Sequence, residues 1–125
     1  MSTGLSISKN IYSILSGDTQ LSGTTIYPIV APEEVKYPYL VYKRISIEPL
    51  YAKNMICGDK TRVEINIVSD KYSQTVSIAE RVRELLEYRK DNFFKEVFLK
   101  GAEEGWNEFG YFQTITFDTV NFKNL

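Results

Sequence analysis

The sequence lacks most of the side chains on which enzyme chemistry depends. None of its 125 residues is histidine, and Cys57 is the single cysteine. Histidine is the side chain whose ordinary pKa lies near neutral pH, so no imidazole can activate a serine or cysteine nucleophile. The glycines at 101, 105 and 110 follow no phosphate-loop or dinucleotide spacing, and we expect them in a hairpin turn. These absences predict a protein that is not an enzyme.

Metal ligands are also scarce. A zinc site needs three or four histidine, cysteine or carboxylate ligands, and only carboxylates occur here in number. The pairs Glu33/Glu34 and Glu103/Glu104, together with Asp59, could hold Mg²⁺ or act as general acid and base. Adjacent acids in turn segments are more often solvated loop charge, so we expect no metal and no cofactor.

The charge balance argues against general nucleic-acid binding. Fifteen basic and sixteen acidic residues leave a net charge of -1, which creates no positive field for a phosphate backbone. Basic residues do gather near Tyr42 and Tyr51, and such a patch can bind single-stranded nucleic acid; they are Lys43, Arg44, Lys53, Lys60 and Arg62. The competing interpretation is that they are solvent-facing strand positions, where lysine discourages edge pairing. We expect no specific nucleic-acid binding.

Compartment signals are equally sparse. Cys57 cannot form an intrachain disulfide, which is typical of a reducing cytosol. The first four residues have neither the positive charge nor the apolar run of a signal peptide, and no segment approaches the ~18 apolar residues of a membrane span. The sequence predicts a soluble protein with no membrane partner.

Hydrophobic periodicity predicts one α+β domain over residues 1–125, with two helices packed on an antiparallel sheet in the order α-β-β-β-α-β-β. The helices are expected at residues 5–16, ended by a left-handed Gly17, and from Tyr72 to Leu86, with Ser69 or Asp70 as N-cap. A loop is expected at residues 54–59. The predicted strands are 26–30, 39–47, 60–69, 93–100 and 109–122.

Aromatic residues are the least expected feature of so small a chain. Nine tyrosines and seven phenylalanines exceed what one small core hides easily, so some rings should lie near the surface. Tyrosine is enriched at protein interfaces, although its strand propensity explains any single position equally well. The candidate interface tyrosines are Tyr37, Tyr39, Tyr42, Tyr51 and Tyr111.

Several local motifs, taken in order, resemble the tail-completion proteins of long-tailed phages and prophages, also called tail-terminator or head-tail joining proteins. The resemblance covers most of residues 5–90. Its marks are an N-terminal helix ending in a Leu-Ser-Gly-Asp stretch, Pro28, the Ala31-Pro32 turn, the run Tyr37-Pro38-Tyr39-Leu40-Val41-Tyr42, the strand at 62–69 and the helix at 78–86.

This resemblance implies a structural, non-catalytic subunit that assembles as a homo-oligomer, commonly a hexameric ring. The ring would terminate the tail tube and join it to the head connector, so the implied partners are further copies of the chain, the major tail tube protein and the head connector protein. The implied locations are the host cytoplasm during assembly and then the virion tail. The projecting region of such subunits corresponds to the 54–59 loop, which adds Asn54, Met55, Ile56 and Asp59 to the candidate contacts.

A second hypothesis remains open from the residues alone. The same aromatic sheet face could belong to a free-standing α+β binding module that holds a peptide or small ligand.

Overall fold

The computed structural model describes residues 3–122 as a five-stranded sheet with two α-helices. The predicted α+β class and its two helices are confirmed. The helices are α1 (Ile7–Ser16) and α2 (Tyr72–Leu86), and short 3-10 helices at Gly4–Ser6 and Thr19–Leu21, absent from the predicted order, flank α1. The strands are β1 (Thr25–Pro28), β2 (Tyr39–Ala52), β3 (Met55–Ser69), β4 (Glu96–Asn107) and β5 (Gly110–Phe122).

The sheet is mixed, so the expectation of a purely antiparallel sheet is wrong. Its spatial order is β1-β2-β3-β5-β4, and the pair β1–β2 is parallel while the other three pairs are antiparallel. The parallel pair arises because residues 29–38 carry the chain back, so that Thr25 lies beside Tyr39 and Pro28 beside Tyr42. β1 and β4 form the two outer edges.

The hydrophobic core lies between one sheet face and both helices. α1 contributes Ile7, Ile11 and Leu15, and α2 contributes a matching stripe at three- and four-residue spacing. The sheet contributes alternate residues of its central strands, since side chains of a strand alternate between faces. The buried sheet residues are Leu40, Tyr42, Val63, Ile65, Ile67, Ile115 and Phe117.

The β2–β3 hairpin is longer than its sequence suggested. β2 continues through Pro49 to Ala52 and β3 begins at Met55, so the loop predicted at 54–59 is wrong and only a turn at Lys53 and Asn54 remains. Pro49 is tolerated because β1 ends opposite Tyr42, which leaves this half of β2 on a sheet edge.

Three smaller expectations are also corrected. Gly101 and Gly105 lie within β4, where a Cβ at Gly105 would meet the Phe112 ring at 2.7 Å. Gly17 ends α1 with φ -83°, which is not left-handed. Helix α2 has Lys71 as its N-cap, and Ser69 contributes indirectly because its Oγ accepts the Lys71 N–H at 3.1 Å.

Candidate assembly surfaces

The outer half of the β2–β3 hairpin exposes large apolar side chains. Tyr51 is 65% exposed and Met55 is 68% exposed, on either side of the two-residue turn. Ile45 and Ile56 are also exposed. We call residues 51–56 the hairpin tip. Because these side chains are largely exposed, the tip is a candidate contact surface.

Below the tip lies a small apolar pocket of about 290 Å³. Asp59 borders it and accepts the backbone N–H of Gly4 at 2.8 Å, which fastens the N-terminal segment to the sheet. Gly4 is required there, since a Cβ would meet Thr61 and Ile47 at sub-van-der-Waals distances. Asp59 is therefore a largely buried side chain that attaches the N-terminal segment to β3 and offers little surface for contact with another molecule.

At the β1 edge the chain leaves the sheet through a strained turn. The Ile29 N–H donates to the Tyr42 carbonyl at 2.9 Å, and the next N–H, of Val30, donates to the Pro28 carbonyl at 2.6 Å. Ile29 has φ +67°, so this three-residue turn is the rare γ-turn with positive φ. Its consequence is that β1 stops at Pro28 and, within residues 3–122, leaves residues 43–52 of β2 without a paired strand on the side away from β3.

The same turn borders an open groove of about 540 Å³. Ile29 is 73% exposed and Val30 is 72% exposed, and Phe109 forms another part of the lining. The groove lies over the sheet face opposite the helices, where Lys43 and Glu64 approach to 4.0 Å.

The opposite edge of the sheet is β4, which is also apolar in places. Trp106 is 69% exposed, and Phe98 packs edge-on against the exposed Tyr88 with ring centroids 6.5 Å apart. A bulge between Leu99 and Gly101 interrupts the pairing of β4 with β5. The sheet therefore ends in two different, partly apolar strand edges.

The predicted tyrosines divide into buried and accessible ones. Tyr39 and Tyr42 are buried, and burial raises the pKa of both phenols. Tyr37 is 43% exposed, and its hydroxyl donates to the Phe109 carbonyl. Its ring stacks on that of Tyr39, with ring centroids 5.9 Å apart. Tyr111 is 37% exposed, and its ring packs edge-on against that of Tyr72, with ring centroids 5.8 Å apart.

The predicted contact residues thus fall into separate places. Tyr51, Asn54, Met55 and Ile56 come together at the hairpin tip, whereas Tyr39, Tyr42 and Asp59 are largely buried, Tyr39 and Asp59 in the walls of the two pockets. Sequence reasoning missed Ile29, Val30 and Trp106. A signal existed for the first two, which form an apolar pair between prolines at 28 and 32, a place where the chain was expected to turn.

The charged side chains near these surfaces form local pairs with neighbouring polar or charged groups. Tyr72 donates to Glu104 Oε2 at 2.7 Å, and this bond raises the pKa of Tyr72 and lowers the pKa of Glu104. Arg62 holds Asp118 through a 2.8 Å bond on the open sheet face and lowers the pKa of that carboxyl. These pairs tie neighbouring elements together.

Across residues 3–122, no three histidine, cysteine or carboxylate side chains are grouped as metal ligands. Within the same residues, no helix has the length and apolarity to cross a bilayer. Cys57 is half-buried in β3.

Comparison with known proteins adds a family and a fold. The family model described as tail completion protein gp17 matches residues 9–105. The fold resembles that of a chain in the virion of a native gene transfer agent particle, with a TM-score of 0.72 at 16% sequence identity, over 90% of this chain and 92% of that chain. No curated protein matches the sequence.

Proposed function

This chain belongs to the tail completion protein gp17 family, and on that premise we propose that it is a ring-forming subunit that terminates a phage or prophage tail tube and joins it to the head connector. Family membership makes it a structural component of a phage tail. The ring, the junction with the connector and assembly in the host cytoplasm belong to the proposal. In it, residues 1–125 act as one assembling domain.

The observation that carries this proposal is the distribution of exposed apolar side chains. Many of them, among them Tyr51, Met55, Ile29, Val30, Phe98 and Trp106, lie at the hairpin tip and the two outer edges of the sheet, three places that a subunit in a ring has to cover. A head-to-tail ring needs two different patches on each subunit, and a tube needs a third. The tip, with Tyr51 and Met55, is the surface we assign to the tube.

The alternative function, a free-standing binding module, has weaker support. It requires an aromatic sheet face open to ligand, but Tyr42 packs in the core, and Tyr39, which lines the groove together with Phe109, is only 7% exposed. A non-catalytic role also agrees with the family, whose members act as structural tail components.

Sedimentation and negative-stain microscopy test the proposal directly. The purified chain, alone and mixed with tail tubes assembled from the tube protein, is expected to give ring particles, with rings seated on tube ends. A chain that stays monomeric at high concentration and leaves tube ends bare would contradict it.

A further inference from the structure

We propose that the end of the sheet opposite the hairpin tip binds a cationic segment of a partner protein, and that Glu104 and Trp106 hold an arginine or lysine side chain of that segment. This inference rests on the proposed function, in which the subunit needs a surface for the head connector besides the one for the tube. It goes further, because it locates that surface and states the charge of the segment that binds there.

The surface lies around the turn between β4 and β5, far from the hairpin tip. β3 runs for 15 residues from Met55 at the tip to Ser69, which pairs with Tyr111 just after that turn. A strand rises by about 3.4 Å per residue, so roughly 45 Å separates the two ends of β3. We call residues 103–111, together with the adjacent Tyr72, the turn end. When the tip contacts the tube, the turn end faces away from it.

The turn end exposes a row of aromatic rings. Trp106 is 69% exposed and lies opposite Tyr111 in the β4–β5 ladder, so the two side chains are on the same face of the sheet. Tyr72, the first residue of α2, is also exposed and packs edge-on against Tyr111. Tryptophan and tyrosine often supply most of the binding energy of a protein interface, so this row is typical of a contact surface.

The charge of the turn end determines what it can bind. Residues 103–111 carry three exposed carboxylates, Glu103, Glu104 and Glu108, and no lysine or arginine. Asp70 and Lys71, which precede Tyr72, have opposite charges. The resulting negative potential repels nucleic-acid phosphates and the turn end of a second copy, and it attracts a cationic segment.

Glu104 is a fixed carboxylate on the same face as the Trp106 ring, because it lies two residues before Trp106 in β4. Its Oε2 accepts hydrogen bonds from the Tyr72 hydroxyl at 2.7 Å and from Gln113 Nε2 at 2.9 Å. Both donors are neutral, so they orient the carboxylate without cancelling its charge, and they lower its pKa. Within residues 3–122, no lysine or arginine forms a salt bridge with Glu104.

A carboxylate beside an exposed indole ring suits an arginine or lysine side chain. The cationic group can donate to Glu104 while it lies over the face of the Trp106 ring, whose quadrupole attracts it. A neutral apolar segment would gain the ring contact only, and it would have to desolvate the carboxylates without pairing them. These contacts use side chains, so they leave the backbone edge of β4 free for a neighbouring subunit.

Fluorescence tests this site, because Trp106 is the single tryptophan of the chain. The probe is a synthetic peptide of alternating arginine and glycine, titrated into the full chain, and the matched peptide has glutamate in place of arginine. The arginine peptide should change the fluorescence saturably, and the glutamate peptide should leave it unchanged. Glu104→Gln should raise the Kd for the arginine peptide roughly tenfold, because a charge-assisted contact is lost.

The matched control is Glu96→Gln. Glu96 is also exposed in β4 and also precedes an exposed ring, Phe98, by two residues, but it lies at the other end of the strand beside Lys95. This variant should bind the arginine peptide like the wild type. An unchanged fluorescence with the arginine peptide, or an equal loss of affinity in both variants, would overturn the cation site whether or not rings form. A chain that binds the peptide as expected but forms no rings, even on tubes, would support the site and contradict the ring.

Discussion

Ile29 has a strained backbone conformation at the point where β1 ends and the edge of β2 becomes free. A β-branched side chain at φ +67° is strained by its Cβ, yet Ile29 is 73% exposed and gains little burial in return. Ile29→Gly removes the clash while keeping the turn. We expect this variant to raise the free energy of unfolding by roughly 1 kcal/mol, measured by urea denaturation at a concentration where the chain is monomeric.

The matched control for this variant is Val30→Gly. Val30 is equally exposed but is not among the residues with positive φ. A glycine there increases the backbone entropy of the unfolded chain and relieves no backbone strain in the folded one. It should be neutral or destabilising. Equal stabilisation by both variants would show that Ile29 is not strained.

A second residue-scale prediction concerns buried hydroxyls at the far end of the core. Thr61 and Thr119 face each other across β3 and β5, and neither Oγ1 has a hydrogen-bond partner among residues 3–122. Thr119→Val replaces an unsatisfied hydroxyl by a methyl group of the same shape. Thermal unfolding should show a gain of about 1 kcal/mol in the free energy of unfolding.

Thr75→Val is the contrasting variant, because this hydroxyl is fully used. Thr75 Oγ1 donates to the Tyr72 carbonyl at 2.7 Å and accepts from Gln113 at 3.3 Å. Its loss should lower stability by about 1 kcal/mol. If Thr119→Val destabilises the subunit as Thr75→Val does, the Thr119 hydroxyl is hydrogen-bonded, for example to a buried water.

At the level of elements, an ion pair fixes α2 to the turn after α1. Arg81 donates to both carboxylate oxygens of Asp18, at 2.6 Å and 3.0 Å, and these bonds lower the pKa of Asp18 below its ordinary 3.8. A lowered carboxyl pKa gives stability that is complete above the ordinary value and is lost as the pH falls through the folded-state value. The pair therefore stabilises the fold at neutral pH and fails in acid.

Asp18→Asn tests this linkage. The variant should be less stable than the wild type at pH 7. The difference should begin to shrink below about pH 4, where the carboxyl of the unfolded wild type becomes protonated, and should disappear once the pH is below the lowered pKa of the folded state. Melting temperatures across this range measure it. Glu34→Gln, which removes a charge from an exposed turn, should follow the wild-type profile. A constant difference between Asp18→Asn and wild type at every pH would contradict the assignment.

The sequence predicted those elements whose formation depends on local residue patterns, and it failed where the structure depends on contacts between distant segments. Helix α2 was predictable because Ile78, Val82 and Leu86 recur at helical spacing and face the core. The parallel pairing of β1 with β2 was not, since strand direction depends on where the connection at 29–38 travels. The prediction of a loop at 54–59 was wrong because β2 and β3 stay paired up to the turn at Lys53 and Asn54, and the edge position of β2 tolerates Pro49.

The candidate surfaces were only partly predictable, because the sequence does not say which face of the sheet the helices cover. Aromatic content indicated exposed rings, and Tyr51 at the tip agrees with that prediction. Alternation along β2 could not say which face α1 and α2 would cover, so Tyr42 was proposed as a contact although it lies in the core. Burial on a two-faced strand is decided by tertiary packing, which a local pattern does not contain.

For the whole molecule, the side chains that stabilise the subunit are separate from the exposed side chains that we propose contact other tail proteins. Tyr51 and Met55 are exposed at the tip and contribute little to the fold, whereas Tyr42 is 5% exposed and packs in the core. The double substitution Tyr51→Ser with Met55→Ser should shift Tm by less than about 4 °C, as surface changes do. Tyr42→Ser, the matched buried change, should cost about 3 kcal/mol of stability.

The tip variant then separates tube binding from ring formation. The ring contacts that we propose lie at the outer edges of the sheet, so the variant with Tyr51→Ser and Met55→Ser should still self-associate like the wild type in analytical ultracentrifugation. Its binding to tube ends should fall by at least roughly tenfold in co-sedimentation, because two desolvated apolar anchors are lost. Undiminished tube binding would remove the tip from the tube contact, and loss of self-association would place it between subunits instead.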